Sequence, residues 1–373
     1  MSSYRSARKV LPEMKITDIV VHTVSVGAHV PEFKWRAGLQ GSEGPHVGGW
    51  LAIHTDAGIT GYAYSNRGLI LDDLVNRRIR DDFVGQDPTQ RELLWHRMWE
   101  LDRVEEFPIY AIGVVDIALW DIAGKAAGMP VHALLGGFRT SIQAYASTTT
   151  FSSIEEYMDI ADQCIDLGFS AIKLHAFGDA RTDAKLSVAL RERVGDEMVL
   201  MYDGSAGFDL LDATFLGHAL DDAGFTYYEE PMREFSIHAY QQLARRVRVP
   251  LLVAETSDGA HMNTADFIAS GCATAVRTSA SLRGGITGAM RIAHLADSFL
   301  LRAEVHGAGL VNRHLCMAIS NNTYYESFVN SNPAAREAVV DEHGYVHAPQ
   351  APGIGWESEG PSDVPGGFPG VSS

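Results

Sequence analysis

Residues 170–175, SAIKLH, have the composition of a buried strand and end in a lysine and a histidine two positions apart. Side chains two apart on a strand share a face, so Lys173 and His175 are predicted to point the same way. Two basic groups in a protein interior need either a solvated opening or an anionic partner. We therefore expect this strand to end at a polar opening or beside carboxylates.

Similar short apolar runs recur after residue 141, separated by amphipathic stretches such as 154–167, 184–194 and 211–223. The runs are IQAYAS, SAIKLH, MVLMYD, FTYYEE, LLVAE, TAVRTS, LLRAEVH and TYYES. Strands that alternate with helices indicate a parallel sheet, and eight such units predict a compact barrel of the (β/α)₈ type.

The sequence before residue 141 has a different pattern of predicted secondary structure. ITDIVVHTVSV alternates like a strand, and WLAIHT is joined to ITGYAY by the turn residues Asp56-Ala57-Gly58, which predicts a hairpin. Residues 28–49, rich in Gly, His and Glu, are predicted to form a mobile loop. Residues 71–128 are predicted to be helical, with an apolar stripe in AIGVVDIALWDIAGKAAGMP that Gly128 ends.

Composition excludes several classes of protein. The formal charge of −17 and the absence of a Lys/Arg run argue against nucleic-acid binding. No apolar run approaches the ~18 residues of a membrane span, and the N-terminus lacks the apolar centre of a secretory signal. Cys164, Cys272 and Cys316 have no metal-binding spacing, so they are predicted to be buried thiols. We expect a cytoplasmic protein.

Carboxylates end three consecutive runs, at Asp203, Glu229 and Glu255. The spacing is 26 residues each time (229 − 203 and 255 − 229), one strand–helix unit, which predicts the three side chains at one height on adjacent strands. Like charges this close raise one another's pKa unless a cation lies between them. Oxygen ligands with room for water and substrate suit Mg²⁺, so we predict a magnesium site. For each acid taken singly, a helix cap or a salt bridge is the alternative.

Active sites of such barrels lie at the carboxyl ends of the strands, which is also where the remaining polar run-ends fall. Lys173 and His175 would project into this mouth, and the ammonium would favour a neutral imidazole able to accept a proton. His306 ends the seventh run, across the barrel, and Glu326 ends the eighth, where it would polarise or protonate a substrate oxygen. A snorkelling lysine, backbone-bonded histidines and an ion-paired glutamate are the structural alternatives.

Several longer motifs resemble the mandelate racemase branch of the enolase superfamily. They are DIALWDIAGKAAGMPVHALLGG at residues 116–137, FTYYEEPM, LLVAE, the glycine pair in LRGGITGAM, and APGIGWE. The resemblance implies an α/β fold, a modified TIM barrel, (β/α)₇β, with an N-terminal α+β capping domain. We place the capping domain at residues 1–140, the barrel at 141–331, and a segment that packs back on the capping domain at 332–373.

The same resemblance implies magnesium ligands at Asp203, Glu229 and Glu255. It also implies removal of the proton alpha to a carboxylate, giving an enediolate held by the metal. Loops at 28–49 and 65–69 would close over the substrate. The candidate contacts to substrate hydroxyls or a distal charge are Arg36, His46 and Arg67, with Arg277 as a further substrate-binding candidate.

Two positions depart from the family pattern. The second strand usually carries Lys-x-Lys, and here the second lysine is replaced by His175. The seventh-strand histidine is usually paired with an aspartate five residues before the glycine pair, and that position is Ser279. His306 therefore lacks the expected carboxylate partner, which weakens it as a base.

The leading prediction is a magnesium-dependent dehydratase of an acid sugar, an aldonate or aldarate, that yields a 2-keto-3-deoxy acid. His175, helped by Lys173, would take the alpha proton, and His306 would protonate the departing beta hydroxyl. The alternatives are a racemase, epimerase or cycloisomerase that uses the same enediolate, and a non-catalytic metal-binding paralogue. The partners expected are a small carboxylate substrate and further copies of the chain in a homo-oligomer, with neither nucleic acid nor membrane.

Overall fold

The computed structural model describes residues 14–29, 32–39, 41, 44–335 and 340–359. Outside the described residues lie the N-terminal 1–13, parts of the predicted loop (30, 31, 40, 42 and 43), 336–339, and the end of the predicted C-terminal segment, 360–373.

Three antiparallel strands open the capping domain. They are β1 (Ile16–Val26), β2 (His46–Thr55) and β3 (Thr60–Ser65), in the order β1-β2-β3. The predicted turn joins β2 to β3, and Gly58 there adopts the left-handed φ of +72° that favours glycine. The predicted loop over residues 28–49 is too long, because β2 begins at His46 and pairs along β1 from that residue.

The helices of the capping domain follow directly. They are α1 (Gly68–Leu74), a π-helical turn (Val75–Ile79), α2 (Arg80–Phe83), α3 (Arg91–Glu105), α4 (Ile109–Ala127) and the short α5 (Val131–Leu134). Gly128 ends α4 with a left-handed φ of 67°, as the sequence predicts. None of the helices in the described part of the chain combines the length and hydrophobicity that a membrane crossing requires.

Eight parallel strands form the barrel, which confirms the predicted (β/α)₇β architecture. The strands are β4 (Ser141–Thr148), β5 (Ala171–His175), β6 (Val199–Asp203), β7 (Tyr227–Glu229), β8 (Leu251–Val253), β9 (Ala275–Thr278), β10 (Arg302–Val305) and β11 (Tyr325–Val329). The intervening helices are α6 (Ile154–Asp166), α7 (Ala180–Val194), α8 (Leu210–Asp222), α9 (Ile237–Ala244), α10 (His261–Ala269), α11 (Gly285–Ser298) and α12 (Leu310–Ala318). Strands β4 to β10 pair in sequence, and β11 pairs with the free side of β4.

The ring closes between β10 and β11 without a strand ladder among the described residues. A backbone hydrogen bond from Ala303 N to Asn321 O, at 3.0 Å, crosses this seam, and side chains add further bonds. The backbone N–H of Val305 donates to Asn322 Oδ1 at 2.9 Å, and that of Gly307 donates to Glu326 Oε2 at 2.7 Å. Glu326 is therefore part of the barrel wall as well as of its mouth.

Two buried aspartates on α4 join the capping domain to the rest of the chain. Asp116 accepts hydrogen bonds from the backbone N–H (2.9 Å) and the hydroxyl (2.6 Å) of Thr287 on α11. Asp121 accepts the N–H of Tyr62 in β3 at 2.9 Å and that of Ile354 at 2.8 Å. One helix thus holds the capping sheet, the barrel and the C-terminal segment.

The C-terminal segment runs from the barrel to the capping domain over its described residues. After a 3₁₀ turn (Pro333–Ala335), β12 (Tyr345–His347) pairs antiparallel with β4, and α13 (Trp356–Glu359) follows. Trp356 donates from Nε1 to Tyr62 O at 2.9 Å and packs edge-on against Trp50, with ring centroids 5.2 Å apart. The three cysteines are buried and form no disulfide among the described residues.

Replacing Asp116 by Asn should flatten the pH dependence of stability. Burial raises the pKa of Asp116 from 3.8 to about 7, against the lowering effect of Thr287. Between these values the native state holds a proton that the unfolded chain has lost, so this group makes stability fall as pH rises, by up to about 1.4 kcal/mol per pH unit.

Urea unfolding of the wild type and the variant from pH 4.5 to 7 measures this slope. The exposed Asp297→Asn serves as control and should keep the wild-type slope. Equal slopes for Asp116→Asn and the wild type would contradict the assignment.

Candidate active site

A cavity of about 420 Å³ opens at the carboxyl ends of the barrel strands. Five of the residues singled out from the sequence for proton transfer or metal binding line it: His175, Asp203, Glu255, His306 and Glu326. The histidines of the second and seventh strands therefore face one space, as their strand positions predict. Lys173, Glu229 and Arg277 are buried beside this space and bond to its wall.

Lys173 is held by three carboxylates. Its ammonium lies 3.0 Å from Asp203 Oδ2, 2.9 Å from Glu229 Oε2 and 2.9 Å from Glu326 Oε1. Burial lowers the pKa of Lys173, but these carboxylates outweigh it and raise the pKa well above the usual value. Lys173 is consequently a fixed cation, and the anionic partners that the sequence required are supplied by the protein.

Arg277 is the second buried cation that pairs with Glu229. Its Nε contacts Glu229 Oε1, and its Nη2 lies 2.7 Å from Oε2 and 3.0 Å from the Tyr145 hydroxyl. Its Nη1 donates to Val305 O at 3.1 Å, and the residue is 2% exposed. The substrate contact expected of Arg277 stays a prediction, because the bonds it makes here go to the protein.

These two cations divide the predicted metal ligands into two groups. Burial raises the pKa of Asp203 and Glu229, but Lys173 and, for Glu229, Arg277 pull both pKa values below the usual range. Burial also raises the pKa of Glu255, and nearby carboxylates raise it further, so it ends well above its usual value. The like-charge effect expected from the sequence thus holds for Glu255 alone of the three.

The three acids are not all at one height. Asp203 and Glu229 are direct partners in the β6–β7 ladder, as the 26-residue spacing predicts. The partner of Glu229 on β8 is Leu252, three residues before Glu255. Ala254 adopts a positive φ of 68° just after β8, so the chain turns there and carries Glu255 beyond the strand.

A metal ion fits the residues present. Ligand atoms of Glu229, Glu255 and His306 lie within 4.8 Å of one another. Glu255 Oε2 and His306 Nδ1 are buried atoms without a hydrogen-bond partner in the described residues. A divalent cation would satisfy the orphaned oxygen and relieve the crowding of charge at Glu255, and carboxylate oxygens suit Mg²⁺. Asp203 is outside this trio, and its role as a ligand stays a prediction.

His175 is oriented by two acceptors. Its Nδ1 lies 2.6 Å from the carbonyl oxygen of Thr148, which can only accept, so Nδ1 carries a proton. Its Nε2 lies 3.1 Å from Asp203 Oδ2, a second acceptor. The Trp35 ring packs on the imidazole, with centroids 4.5 Å apart. This environment suits a ring that donates from both nitrogens, the form of a proton donor.

His306 has the opposite character. Burial lowers its pKa, an effect that the Glu326 carboxylate only partly offsets, so the imidazole is neutral and able to accept a proton. Its Nδ1 lies 3.5 Å from Glu255 Oε2 and 3.5 Å from Glu326 Oε2. Two carboxylates therefore face this ring, although Ser279 replaces the expected aspartate and accepts backbone N–H groups of its own loop.

Glu326 does not have the environment of an acid. Burial raises its pKa, but Lys173 and Arg277 pull it well below the usual range, so the side chain is ionised. Ser147 Oγ donates to its Oε1 at 2.8 Å. Donating to a substrate oxygen, or polarising one, would need a protonated Glu326, which this environment disfavours, so both roles stay predictions.

The three substrate-binding candidates of the capping domain lie in different places. Arg36 lines the cavity, where its Nε donates to Ser205 O at 2.9 Å. Arg67 instead lines a different cavity of about 360 Å³. His46 lies on neither wall, and its Nδ1 is 3.0 Å from Gly44 O. Substrate contacts for His46 and Arg67 stay predictions.

Sequence reasoning missed part of the wall. Trp35, Glu230, Arg233 and Glu234 also line the cavity. Burial, Glu234 and Asp203 raise the pKa of Glu230 to about 8. Glu230, Arg233 and Glu234 lie within five residues of the strand end at Glu229, so extending each run by five residues would have found these three.

The chain matches two models of one protein family. Residues 156–361 match the enolase C-terminal domain-like model, and residues 47–136 match the N-terminal domain of mandelate racemase and muconate lactonizing enzymes. A crystal structure of D-glucarate dehydratase from Agrobacterium tumefaciens complexed with magnesium superposes with a TM-score of 0.85 at 29% identity, covering 92% of this chain and 96% of that one.

Two further relatives are enzymes of different reaction classes, a dehydratase and a cycloisomerase. L-talarate/galactarate dehydratase of Salmonella typhimurium is 28% identical over 293 residues, 75% of this chain and 72% of the relative. D-galactarolactone cycloisomerase of Agrobacterium fabrum is 29% identical over 301 residues, 74% and 79% of the two chains. With both domains matched and the barrel in place, this chain belongs to the mandelate racemase/muconate lactonizing enzyme family of the enolase superfamily.

Proposed function

We propose that this protein is a magnesium-dependent hydro-lyase that removes water from an acid sugar to give a 2-keto-3-deoxy acid. The observation that carries the proposal is the pair of imidazoles of opposite character, His175 and His306, on the wall of one carboxylate-lined cavity. Elimination of water needs one group that accepts a proton and one that donates a proton. The dehydratase relatives support the same reaction class.

Glu229 and Glu255 would hold the magnesium ion, together with Asp203 as the family pattern implies, and with His306 beside it. The ion supplies Lewis-acid stabilisation of the negative charge that develops on the substrate carboxylate when the alpha proton leaves. Lys173 and Arg277 keep Asp203 and Glu229 ionised and therefore able to bind a cation.

The protein's own groups then move two protons. His306, neutral, accepts the alpha proton, and the electrons of that C–H bond form the new double bond. The beta C–O bond breaks as His175 passes its Nε2 proton to the departing hydroxyl, which leaves as water. Thr148 keeps the Nδ1 proton of His175 in place throughout. The enol product then takes a proton at the beta carbon to become the 2-keto-3-deoxy acid.

This assignment exchanges the roles that the sequence suggested for the two histidines. The sequence alone gave His175 the base role because of the nearby Lys173. The ammonium is bonded to three carboxylates, however, and the acceptors at both nitrogens of His175 favour the donor form. Lys173 is accordingly a structural cation beneath the histidine.

Cycloisomerisation or epimerisation is the second candidate. It is favoured by the same two imidazoles, since reactions that remove and return a proton on opposite faces need two such groups, and by the cycloisomerase relative. The non-catalytic paralogue is less supported, because the predicted ionisable cluster is assembled around the cavity. Cytoplasmic location, a homo-oligomeric state and the absence of nucleic-acid or membrane partners remain proposals from composition and resemblance.

Incubation with Mg²⁺ and a panel of aldonates and aldarates should yield a 2-keto acid, detected with semicarbazide, because the cavity holds both a proton acceptor and a proton donor. EDTA should abolish turnover, and added Mg²⁺ should restore it. Isomerised substrate without 2-keto acid would transfer support to the second candidate. No conversion across the panel would contradict both enzyme proposals.

The two histidine roles are separable by proton exchange in D₂O. His175→Gln should lose about 10²–10⁴-fold in dehydration yet still exchange the alpha proton, because the base remains. His306→Gln should lose both. Mass spectrometry of recovered substrate measures exchange. Loss of exchange in His175→Gln together with its retention in His306→Gln would restore the order suggested by the sequence.

Glu255→Gln should weaken Mg²⁺ binding by at least tenfold, because the substitution removes the negative charge of a predicted ligand. Isothermal titration calorimetry without substrate measures the affinity. Glu192→Gln, an exposed change on α7, is the control and should leave the affinity unchanged. Unaltered affinity in Glu255→Gln would place the ion elsewhere.

A further inference from the structure

Two guanidinium groups line the cavity beside its anionic wall. They belong to Arg36, from the capping domain, and Arg233, from the loop after β7. The chain has 47 acidic and 30 basic residues, so an arginine without a carboxylate partner beside a cavity calls for an explanation. Neither arginine forms an ion pair within the described part of the chain.

Arg36 is fixed in place by neutral partners. Its Nε donates to Ser205 O at 2.9 Å, and its Nη1 donates to Ala37 O at 2.9 Å. These bonds use two of the five N–H donors of a guanidinium and leave its charge uncompensated. The side chain is thus oriented while three donors remain for a ligand.

Glycines in two barrel loops make room for Arg36. A Cβ atom at Gly207 would lie 2.6 Å from both Cδ and Nε of Arg36, and one at Gly178 would lie 3.1 Å from its Cβ. The loop that carries Arg36 is itself docked on the barrel: Thr150 N donates to Lys34 O at 2.7 Å, and Ala37 N donates to Phe177 O at 3.1 Å. The guanidinium therefore occupies a formed slot, which reduces the entropy cost of binding an anion.

Arg233 is exposed, and the acids near it in sequence are committed elsewhere. Glu234 accepts the backbone N–H groups of Thr256 at 2.9 Å and Ser257 at 3.1 Å. Glu230 accepts the hydroxyl of Thr256. The cation of Arg233 is consequently available to a ligand in the cavity.

We propose that the substrate is a dicarboxylic sugar acid, an aldarate, whose second carboxylate binds Arg36 and Arg233 while the first lies at the magnesium site. This inference rests on the proposed function. An aldonate ends in a hydroxymethyl group, which cannot compensate the charge of a guanidinium, whereas a carboxylate accepts its planar pair of N–H groups.

The test compares matched pairs of substrates, galactarate with galactonate and glucarate with gluconate, by kcat/KM. The wild type should favour the diacid of a pair by at least tenfold. Arg36→Gln should lower kcat/KM for the diacid by about 10- to 100-fold, the range for a lost charge-assisted hydrogen bond, and lower it for the monoacid by a clearly smaller factor. Arg233→Gln should act in the same direction by a smaller factor.

Gly207→Ala provides an independent variant, because it displaces Arg36 without removing the charge. It should reduce the diacid preference as well. Arg246→Gln, an exposed change in the turn after α9, is the matched control and should keep the wild-type ratio. Circular dichroism of each variant verifies folding.

The outcomes separate this inference from the proposed function. Turnover of monoacids at least as fast as diacids, with a ratio that Arg36→Gln does not alter, would overturn the diacid assignment and leave the dehydratase proposal standing. Conversion of neither class would overturn both.

Discussion

Burial of carboxylates in the barrel depends on two internal cations. Lys173 and Arg277 between them contact Asp203, Glu229 and Glu326, which are all buried. A buried ionised carboxylate without a partner is so unfavourable that it would take up a proton or disrupt the fold. The two cations therefore allow ionised carboxylates to be buried inside the apolar barrel. Of the three predicted metal ligands, they leave Glu255 uncompensated and in need of a further positive charge.

Much of the fold could be predicted from the sequence because each barrel strand carries its own signal. An apolar run that stops at a charged residue marks both a strand and its carboxyl end, and this located Lys173, His175, Asp203 and Glu229 correctly. The height of Glu255 could not be predicted, because a turn at Ala254 with positive φ carries it beyond the end of β8. The roles of the histidines depend on partners distant in sequence, such as Thr148, which local patterns do not contain.

The capping domain contributes to the site in two ways. Its loop brings Trp35 onto His175 and Arg36 onto the cavity wall. Its helix α4 fixes the domain to the barrel through Asp116, so the loop has a rigid base. In the proposed mechanism the capping domain contributes Arg36 to substrate discrimination, together with Arg233 of the barrel, and proton transfer belongs to the barrel. The loop was recognisable from composition, but which of its side chains reach the barrel follows from docking and not from sequence.

The seam between β10 and β11 has a mechanical consequence. Seven of the eight strand junctions are hydrogen-bonded ladders, and the eighth has isolated hydrogen bonds, from Ala303 N to Asn321 O and to the side chains of Asn322 and Glu326. A ring with one softer joint deforms there first under strain. Because His306 and Glu326 flank that joint, we expect breathing of the wall to be concentrated on their side of the cavity, while the opposite arc, which carries His175, is stiffer.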